Sequence, residues 1–516
     1  MQTRRTVLRA GAAGTAGLAL TAVGAATGVV PAAFADGAAG GTGSWADLAS
    51  RLTGRLVLPS DADYPTAKQN QFAEFDAVNP TAIAMCATPQ DVQEAVNYAR
   101  TNGIAVRTRS GGHNYGGWST GEGLVIDVSR LRHATVGSST VRIGPGLQAI
   151  DALEALAPYN KQIVAGTCPT VCPGGFISGG GIGYQTRKYG LGSDRLRSAQ
   201  VVLADGRLVR ASATQHPDLF WALRGGGGGN FGVVTEFEVA PIAQPRMVFF
   251  NTTWAWDKAA DVFGAWQFWQ RTTSVDLGSA LILILPDAAP GAVPMVVVTG
   301  AYHGPPAQAE AALARLTSLV GAQPTSTSHS DLPFSEGMKT AYGCGDLTQE
   351  QCHREGTAPT AALHRVGWLR EAYRFFDRPF TQAELDRLIT TWDGDRVAGQ
   401  SRFLHCMAVG GNANFTSPTA TPFPHRDAEF IIGFTSQLNG PRTQEAEAAA
   451  IALVEKGRAL LDPIGSGSYV NFPGSNTPDW ATQYYGANYA RLLKVKKAYD
   501  PNNFFRHPRS IGSTGQ

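Results

Sequence analysis

Apolar and polar positions along this chain follow two different periods, and the change from one mixture to the other divides it. From Thr81 to about Val239, short apolar runs alternate with helical patterns. Thr88-Pro89-Gln90-Asp91 reads as a helix start, with a hydroxyl cap, a proline in the first turn and an acid at the positive end. Val92, Ala95, Val96 and Ala99 recur at helical spacing, and Gly103 ends the helix. Ile104–Thr108 predicts a strand running into the loop Arg109-Ser110-Gly111-Gly112-His113-Asn114-Tyr115-Gly116-Gly117. Val125–Val128 and Thr140–Ile143 predict further strands, and Gln148–Leu156 a short helix. Gln200–Leu203 and Arg207–Ala211 flank Asp205-Gly206, a hairpin signature.

The pattern changes near Pro241–Pro245. Beyond it the strand candidates Val248–Trp254, Leu281–Leu285 and Met295–Tyr302 mix with helices at Gln308–Leu319, Gln382–Trp392 and Gln444–Leu461. Such a mixture predicts an antiparallel sheet with helices packed on one face. The end of the chain predicts a short strand at Ser468–Phe472 and an amphipathic helix at Asn488–Tyr499. The fold class is α+β. The expected units are a segment at 1–35, a first domain at 46–243, a second at 244–462 and a C-terminal segment at 463–516 that returns to the first.

Length and charge narrow the function. A chain of 516 residues is long for one domain. Residues 1–35 resemble a twin-arginine export signal: Arg4-Arg5, an alanine-rich apolar stretch from about Ala10 to Pro31, then small residues in Ala33-Phe34-Ala35. The expectation is a secreted protein that folds around its cofactor before export and needs no membrane once the signal is removed. A net charge of +2 gives no footprint for nucleic acid or an anionic membrane. Six cysteines are too few for a disulfide scaffold. Cys344 and Cys352 flank a polar loop and are placed to pair outside the cell, whereas Cys86 and Cys406 read as core.

The candidate chemistry lies in glycine-rich loops. AGTCPTVCPGGFISGGGIGYQTRKYG, from Ala165 to Gly190, embeds Cys168 in a run with little side-chain volume. The earlier loop embeds His113 in the same way, and a third run spans Gly225–Gly229. Consecutive glycines can cradle a phosphate or lie against a flat ligand, and Arg109 beside them offers charge. The spacing is not that of a nicotinamide site, and no cluster supplies a metal's ligands. A cysteine–histidine hydrolase leaves the glycines unexplained.

RSGGHNYGG, GTCPTV, ISGGG, RKYGL, FWALRGGGGGNFGVVTEF, TPFPHR, YVN and YDPNNFFRHPRSI occur in the order seen in the berberine-bridge-enzyme family of FAD-linked oxidases, which this chain resembles over essentially its whole mature length. The resemblance implies a two-part FAD-binding domain plus a substrate domain with a helix-covered antiparallel sheet. It implies FAD bonded twice, His113 to the 8α-methyl of the isoalloxazine and Cys168 to C6, with Cys172 a small buried residue. It places Arg109, Ser110, Gly111, Gly112, Asn114, Val171, Gly174, Gly175, Gly179, Gly180, Gly183, Val234 and Asn471 along the cofactor, and Asn503 reads equally as a cofactor contact or a loop-capping residue.

Tyr469 matches the family's active-site tyrosine and would take the proton of a substrate hydroxyl, with Tyr115 and Tyr184 on segments facing the ring. A phenol is a poor base at its ordinary pKa of about 10 unless neighbours stabilise the phenolate. Val171 stands where the family's oxygen-using members carry valine, which favours an oxidase making hydrogen peroxide. Phe176 replaces a histidine that many relatives place near the flavin's pyrimidine edge. The expected partners are dioxygen and a small-molecule substrate, a sugar or a secondary-metabolite alcohol, acted on by a monomer or dimer. Trp118, Trp254, Trp256, Trp266 and Trp269 are candidates for a sugar-stacking cleft or for core. The rival readings are a flavin dehydrogenase with a non-oxygen acceptor and a catalytically silent carbohydrate-binding protein.

Overall fold

In a computed structural model, which describes residues 43–474 and 476–513, the apolar runs assemble into three sheets. The export signal expected at 1–35 lies outside the described residues. The first sheet has the order β1-β2-β4-β3, from β1 (Arg55–Val57), β2 (Ala82–Met85), β3 (Val106–Arg109) and β4 (Leu124–Asp127). β2 and β3 both run parallel to β4. The helix Pro89–Thr101 links β2 to β3, and its start is tied down tightly. Thr88 and Asp91 form a capping box, and the Asp91 carboxylate also accepts from the N–H groups of Thr53, Gly54 and Ala87. Burial works against that charge, but the N–H donors prevail and hold the carboxyl below its usual range.

The second sheet is antiparallel, in the order β5-β6-β9-β7-β8: β5 (Ala134–Val136), β6 (Val141–Ile143), β7 (Leu196–Val202), β8 (Leu208–Ser212) and β9 (Val233–Val239). The Asp205-Gly206 turn joins β7 to β8 as the sequence predicts, with Gly206 at φ 85°. These two sheets make up the first domain, sharing a core in which Val202 and Val233 join Val92 and Val96.

Seven antiparallel strands make the third sheet, in the order β13-β10-β12-β11-β15-β16-β14. They are β10 (Arg246–Trp254), β11 (Leu277–Leu285), β12 (Met295–Tyr302), β13 (Ser326–Pro333), β14 (Leu369–Phe376), β15 (Gln400–Ala408) and β16 (Phe430–Leu438). β11 reads as an unbroken apolar run because both of its faces are covered. Leu281, Leu283 and Leu285 enter a core shared with the helices Ala259–Thr272, Pro306–Val320, Gln382–Asp393 and Gln444–Leu461. Ala280, Ile282 and Ile284 point the other way, into a core that includes Tyr184, Tyr373, Met407 and Tyr469. The inner face of this sheet, partly covered by the short helix Phe334–Ala341, therefore looks at the first two sheets.

The chain end crosses back. Helix Tyr489–Tyr499 buries Leu492 and Val495 in the core of the second sheet. The Lys496 ammonium pairs with Asp500 at 2.7 Å and donates to the Asn230 carbonyl at 2.7 Å, which pins the end of the third glycine run. The strand expected at Ser468–Phe472 does not form. Gly467 makes a single bridge to Phe375, after which the Phe472 N–H closes a turn on the Tyr469 carbonyl at 2.9 Å. The side chains of Tyr469 and Asn471 bond to the second glycine loop, so this segment follows that loop instead of a strand edge.

Candidate active site

The parallel strands of the first sheet end where the first glycine loop begins, the side on which open α/β sheets bind ligands. Arg109 and Asp127 are paired in register at the ends of β3 and β4 and form a buried ion pair. The Arg109 guanidinium also donates to the carbonyls of Ala67 and Lys68 at 2.6 and 3.2 Å. These protein acceptors engage its planar donor fork and fix the loop's starting point, and the residue also stands on the cavity wall. Asn114 is used in the same way, its Oδ1 accepting from the N–H groups of Gly116 and Trp118 at 3.0 and 3.1 Å. At Gly112, φ is 67° and a Cβ would lie 2.9 Å from Asn70 Oδ1, so only glycine lets the chain turn there.

One large cavity joins the three glycine-rich segments, the turn at Tyr469 and the inner face of the substrate sheet. Ser110, Gly111, Gly112, His113, Asn114, Tyr115, Cys168, Val171, Gly174, Gly175, Tyr184, Val234, Tyr469 and Asn471 all line it, together with Arg109. Gly179, Gly180, Gly183 and Asn503 are not on its wall. A Cβ on Gly179 would strike Asn471, one on Gly180 would press on Phe423, and one on Gly183 would strike the Ala165 carbonyl. Those three glycines let protein segments approach one another. Asn503 sits in a left-handed turn at φ 50°, its N–H on the Asp500 carbonyl.

The cavity has two neighbourhoods. Around Gly228, His507 stacks on Trp118 with ring centroids 4.5 Å apart, and Arg107 and Arg506 join the wall. Around Cys168 stand the phenols of Tyr115, Tyr184, Tyr342 and Tyr373. Burial pushes each of them up, and a charge on the Cys168 sulfur is close enough to push further. The Tyr373 hydroxyl lies 3.3 Å from His405 Nδ1. Burial holds the His405 imidazole down to about 4 and pushes the Glu371 carboxyl, behind these phenols, well up. Among the described residues no Asp, Glu or Lys lines the cavity, so the Cys168 end is uncharged.

His113 and Tyr469 are held by named partners. His113 Nε2 is 2.7 Å from Thr170 Oγ1. Burial, helped by the nearby Arg354 cation, keeps the imidazole down at about 3 and therefore neutral. The Tyr469 oxygen accepts from the Gly181 N–H at 2.8 Å and from Asn471 Nδ2 at 3.0 Å. Burial pushes this phenol up to about 12, while the donors Gly181, Asn471 and Ile182 pull the other way by stabilising a phenolate. Asn471 also donates to the Phe176 carbonyl at 3.2 Å. The Phe176 ring fits because three glycines make room for it: a Cβ on Gly166, Gly181 or Gly192 would lie 3.2, 2.6 or 3.0 Å from it. Cys172 turns its sulfur to the Gly146 carbonyl, and burial pushes its thiol up.

Several wall residues carry no role in the sequence reading. Tyr373 and His405 belong to β14 and β15, which were not predicted as strands. Thr170 and His507 lie inside quoted motifs without an assigned part. Of the five tryptophans considered, Trp254, Trp266 and Trp269 are core, Trp256 packs on Trp392, and Trp118 lines the cavity.

The residues present fit a flavin dinucleotide. A Cβ on Gly175 would meet nothing within 4 Å, and one on Gly228 would find the Gly175 Cα at 3.7 Å, so two facing glycines leave a slot bounded by backbone. At the Gly228 end, buried His507 Nδ1 has no hydrogen-bond partner among the described residues. The comparisons agree. Residues 80–212 match the model of an FAD binding domain, and residues 468–512 match the berberine and berberine-like model. An uncharacterized FAD-linked oxidoreductase of Bacillus subtilis, YgaK, is 32% identical over 477 residues, covering 90% of this chain and 97% of its own length. The chitooligosaccharide oxidase of Gibberella zeae is 30% identical, over 84% of this chain and 87% of its own. The solved structure of Physcomitrella patens BBE-like 1 superposes with a TM-score of 0.81 at 21% identity, covering 91% of this chain and 99% of that one. The seven-stranded antiparallel substrate sheet, the glycine-lined cavity and these matches together place the chain in the berberine-bridge-enzyme-like family of FAD-linked oxidoreductases.

Proposed function

We propose that this protein is an exported oxidase that removes hydride from a hydroxyl-bearing carbon of a sugar or secondary-metabolite alcohol, using FAD bonded to both His113 and Cys168. The observation that carries this reading is the Tyr469 oxygen. It stands in the wall of the cavity that His113 and Cys168 also line, held by two N–H donors at 2.8 and 3.0 Å. Those donors take up the acceptor directions of the oxygen, and they strengthen as negative charge develops on it.

The chemistry FAD supplies when bound is acceptance of hydride and return of both electrons to dioxygen as hydrogen peroxide. The protein's residues supply the rest. Tyr469 takes the hydroxyl proton, and Gly181 and Asn471 hold the oxygen in place. Tyr115, Tyr184 and Tyr373 orient an uncharged substrate against the Cys168 end. Small Val171 leaves room for dioxygen on that wall. The phenol is protonated at neutral pH, so the reactive fraction rises with pH toward about 12. Export is supported by Arg4-Arg5 with the apolar stretch behind it, and by the Cys344–Cys352 disulfide, a bond that persists in oxidising compartments.

The test is anaerobic mixing of the yellow holoprotein with oligosaccharides and with polycyclic and aromatic alcohols, followed by admission of air. Bleaching by a member of either group, then rapid recovery of colour with peroxide, is the expected result. Bleaching followed by slow recovery would make the protein a dehydrogenase, and no bleaching across the panel would leave a binding protein.

A further inference from the structure

The loop that carries Cys168 also holds the histidine. The first turn of helix Ala149–Leu156 grips it, with the Ala149 N–H on the Val171 carbonyl at 3.0 Å and the Ile150 N–H on the Pro169 carbonyl at 2.9 Å. These two bonds bracket Thr170, which is buried. Its hydroxyl is set against His113 Nε2 at 2.7 Å, whereas His113 Nδ1 has no hydrogen bond among the described residues and the ring lies on the cavity wall. The two nitrogens of one imidazole are thus unequal, and Thr170 makes them so.

We propose that Thr170 is a positioning residue for cofactor attachment, occupying Nε2 of His113 so that the bond to the 8α carbon of the flavin forms at Nδ1. This rests on the reading that His113 is covalently bonded. A hydroxyl suits both ends of the reaction. Before bonding it accepts the Nε2–H, which leaves the lone pair on Nδ1. After bonding it rotates and donates to the lone pair left on Nε2. The balance closes with dioxygen as oxidant. An N–C bond forms at Nδ1, one C–H bond of the methyl breaks, and its two electrons pass to the ring. The imidazole loses its Nε2 proton through the Thr170 hydroxyl to water. Dioxygen takes the two electrons with two protons and leaves as hydrogen peroxide. The Arg354 guanidinium, whose Nη1 donates to the Asn70 carbonyl at 3.0 Å, discourages a lasting imidazolium and so favours loss of that proton.

Holoprotein of the wild type, Thr170→Val and Thr170→Ser is digested, and the flavin adducts on the peptides around His113 and Cys168 are measured by mass spectrometry. The expected result is a loss of about tenfold or more in the His113 adduct of Thr170→Val, the size of effect that misplacing a reacting group produces. The Cys168 adduct is retained, and Thr170→Ser keeps both. In the wild-type peptide, NMR of the isolated histidyl-flavin is expected to show substitution at Nδ1, a readout that holds even if Thr170→Val does not fold. A fully modified His113 in Thr170→Val, or substitution at Nε2, overturns the role of Thr170 alone. An unmodified His113 in the wild type overturns the covalent reading and this inference with it.

Discussion

The two walls of the cavity are built on opposite principles. The wall from the FAD-binding domain is rich in bare backbone: glycines at 111, 112, 174, 175 and 227–229 stand between side chains such as His113, Tyr115 and Cys168, while Arg109 and Asn114 turn back to fix the loops. The wall from the substrate sheet is all side chain, with Ile282, Tyr373, His405 and Met407 projecting from three strands that are far apart in the chain. A backbone wall can accept one flat molecule of fixed shape, and its sequence is constrained at every residue. A side-chain wall can be rewritten one residue at a time without disturbing the strands that bear it. On the proposed function, the first wall would hold the cofactor and the second would choose the substrate, with Tyr469 at their junction.

Breaking the junction has the largest expected effect. Tyr469→Phe keeps the ring in its packing against Phe375, Phe423 and Phe472 but removes the hydroxyl. Anaerobic stopped-flow is expected to show flavin reduction slowed by roughly 10²–10⁴, the span of a lost general base. In the wild type the logarithm of that rate should climb with a slope of about 1 per pH unit above neutrality, because a phenol raised to about 12 releases its proton only in alkali. In Tyr469→Phe the climb should vanish. An unchanged rate would remove Tyr469 from the chemistry.

Altering the sheet wall alone should have a smaller and selective effect. Tyr373→Phe and His405→Leu each remove one side of a 3.3 Å contact. Losing one hydrogen bond, about 1.5 kcal/mol, should change kcat/KM about tenfold for one substrate and not for others. The absorbance of bound flavin should stay as in the wild type. A matching loss of flavin would show that the two walls are not separable.

The smallest effect concerns the neutrality of the buried histidines outside the cofactor slot. Burial holds His303 and His425 down to about 4, below the 6.5 of an unfolded chain. Between those values the unfolded chain binds more protons, so this stability is complete above about pH 6.5 and is lost as pH falls toward 4. Thermal melts should move down by several degrees from pH 7 to pH 4.5, and less in His425→Gln. A melting temperature that ignores pH over this window would contradict the assignment.

The same contrast explains what could be read in advance. The helix after Thr88, the Asp205-Gly206 hairpin, strand Met295–Tyr302 and helix Gln444–Leu461 form where their caps, turn residues and periods place them. His113 and Cys168 were visible because glycine loops stand out from the composition around them. β13 was missed because it is a polar edge strand, exposed along most of its length. β14 and β15 were missed because polar residues such as Glu371, Arg374, Arg402 and His405 interrupt their apolar runs. Those groups are accommodated only by tertiary partners, as when Arg402 donates to the Trp392 carbonyl at 3.0 Å. The Thr170–His113 contact joins separate loops and has no trace in local pattern. Gly179, Gly180 and Gly183 look alike in sequence to Gly175, yet a Cβ on any of the three would meet protein whereas one on Gly175 would meet nothing within 4 Å, a distinction that depends on what faces each Cα.

The account as a whole depends on one ring being gripped from both glycine loops. Acid precipitation of holoprotein measures this directly, comparing the wild type, His113→Ala, Cys168→Ala and the double variant. The expected result is a yellow pellet from the wild type and from both single variants, and a colourless pellet with free FAD in the supernatant from the double variant. A colourless pellet from the wild type would contradict it.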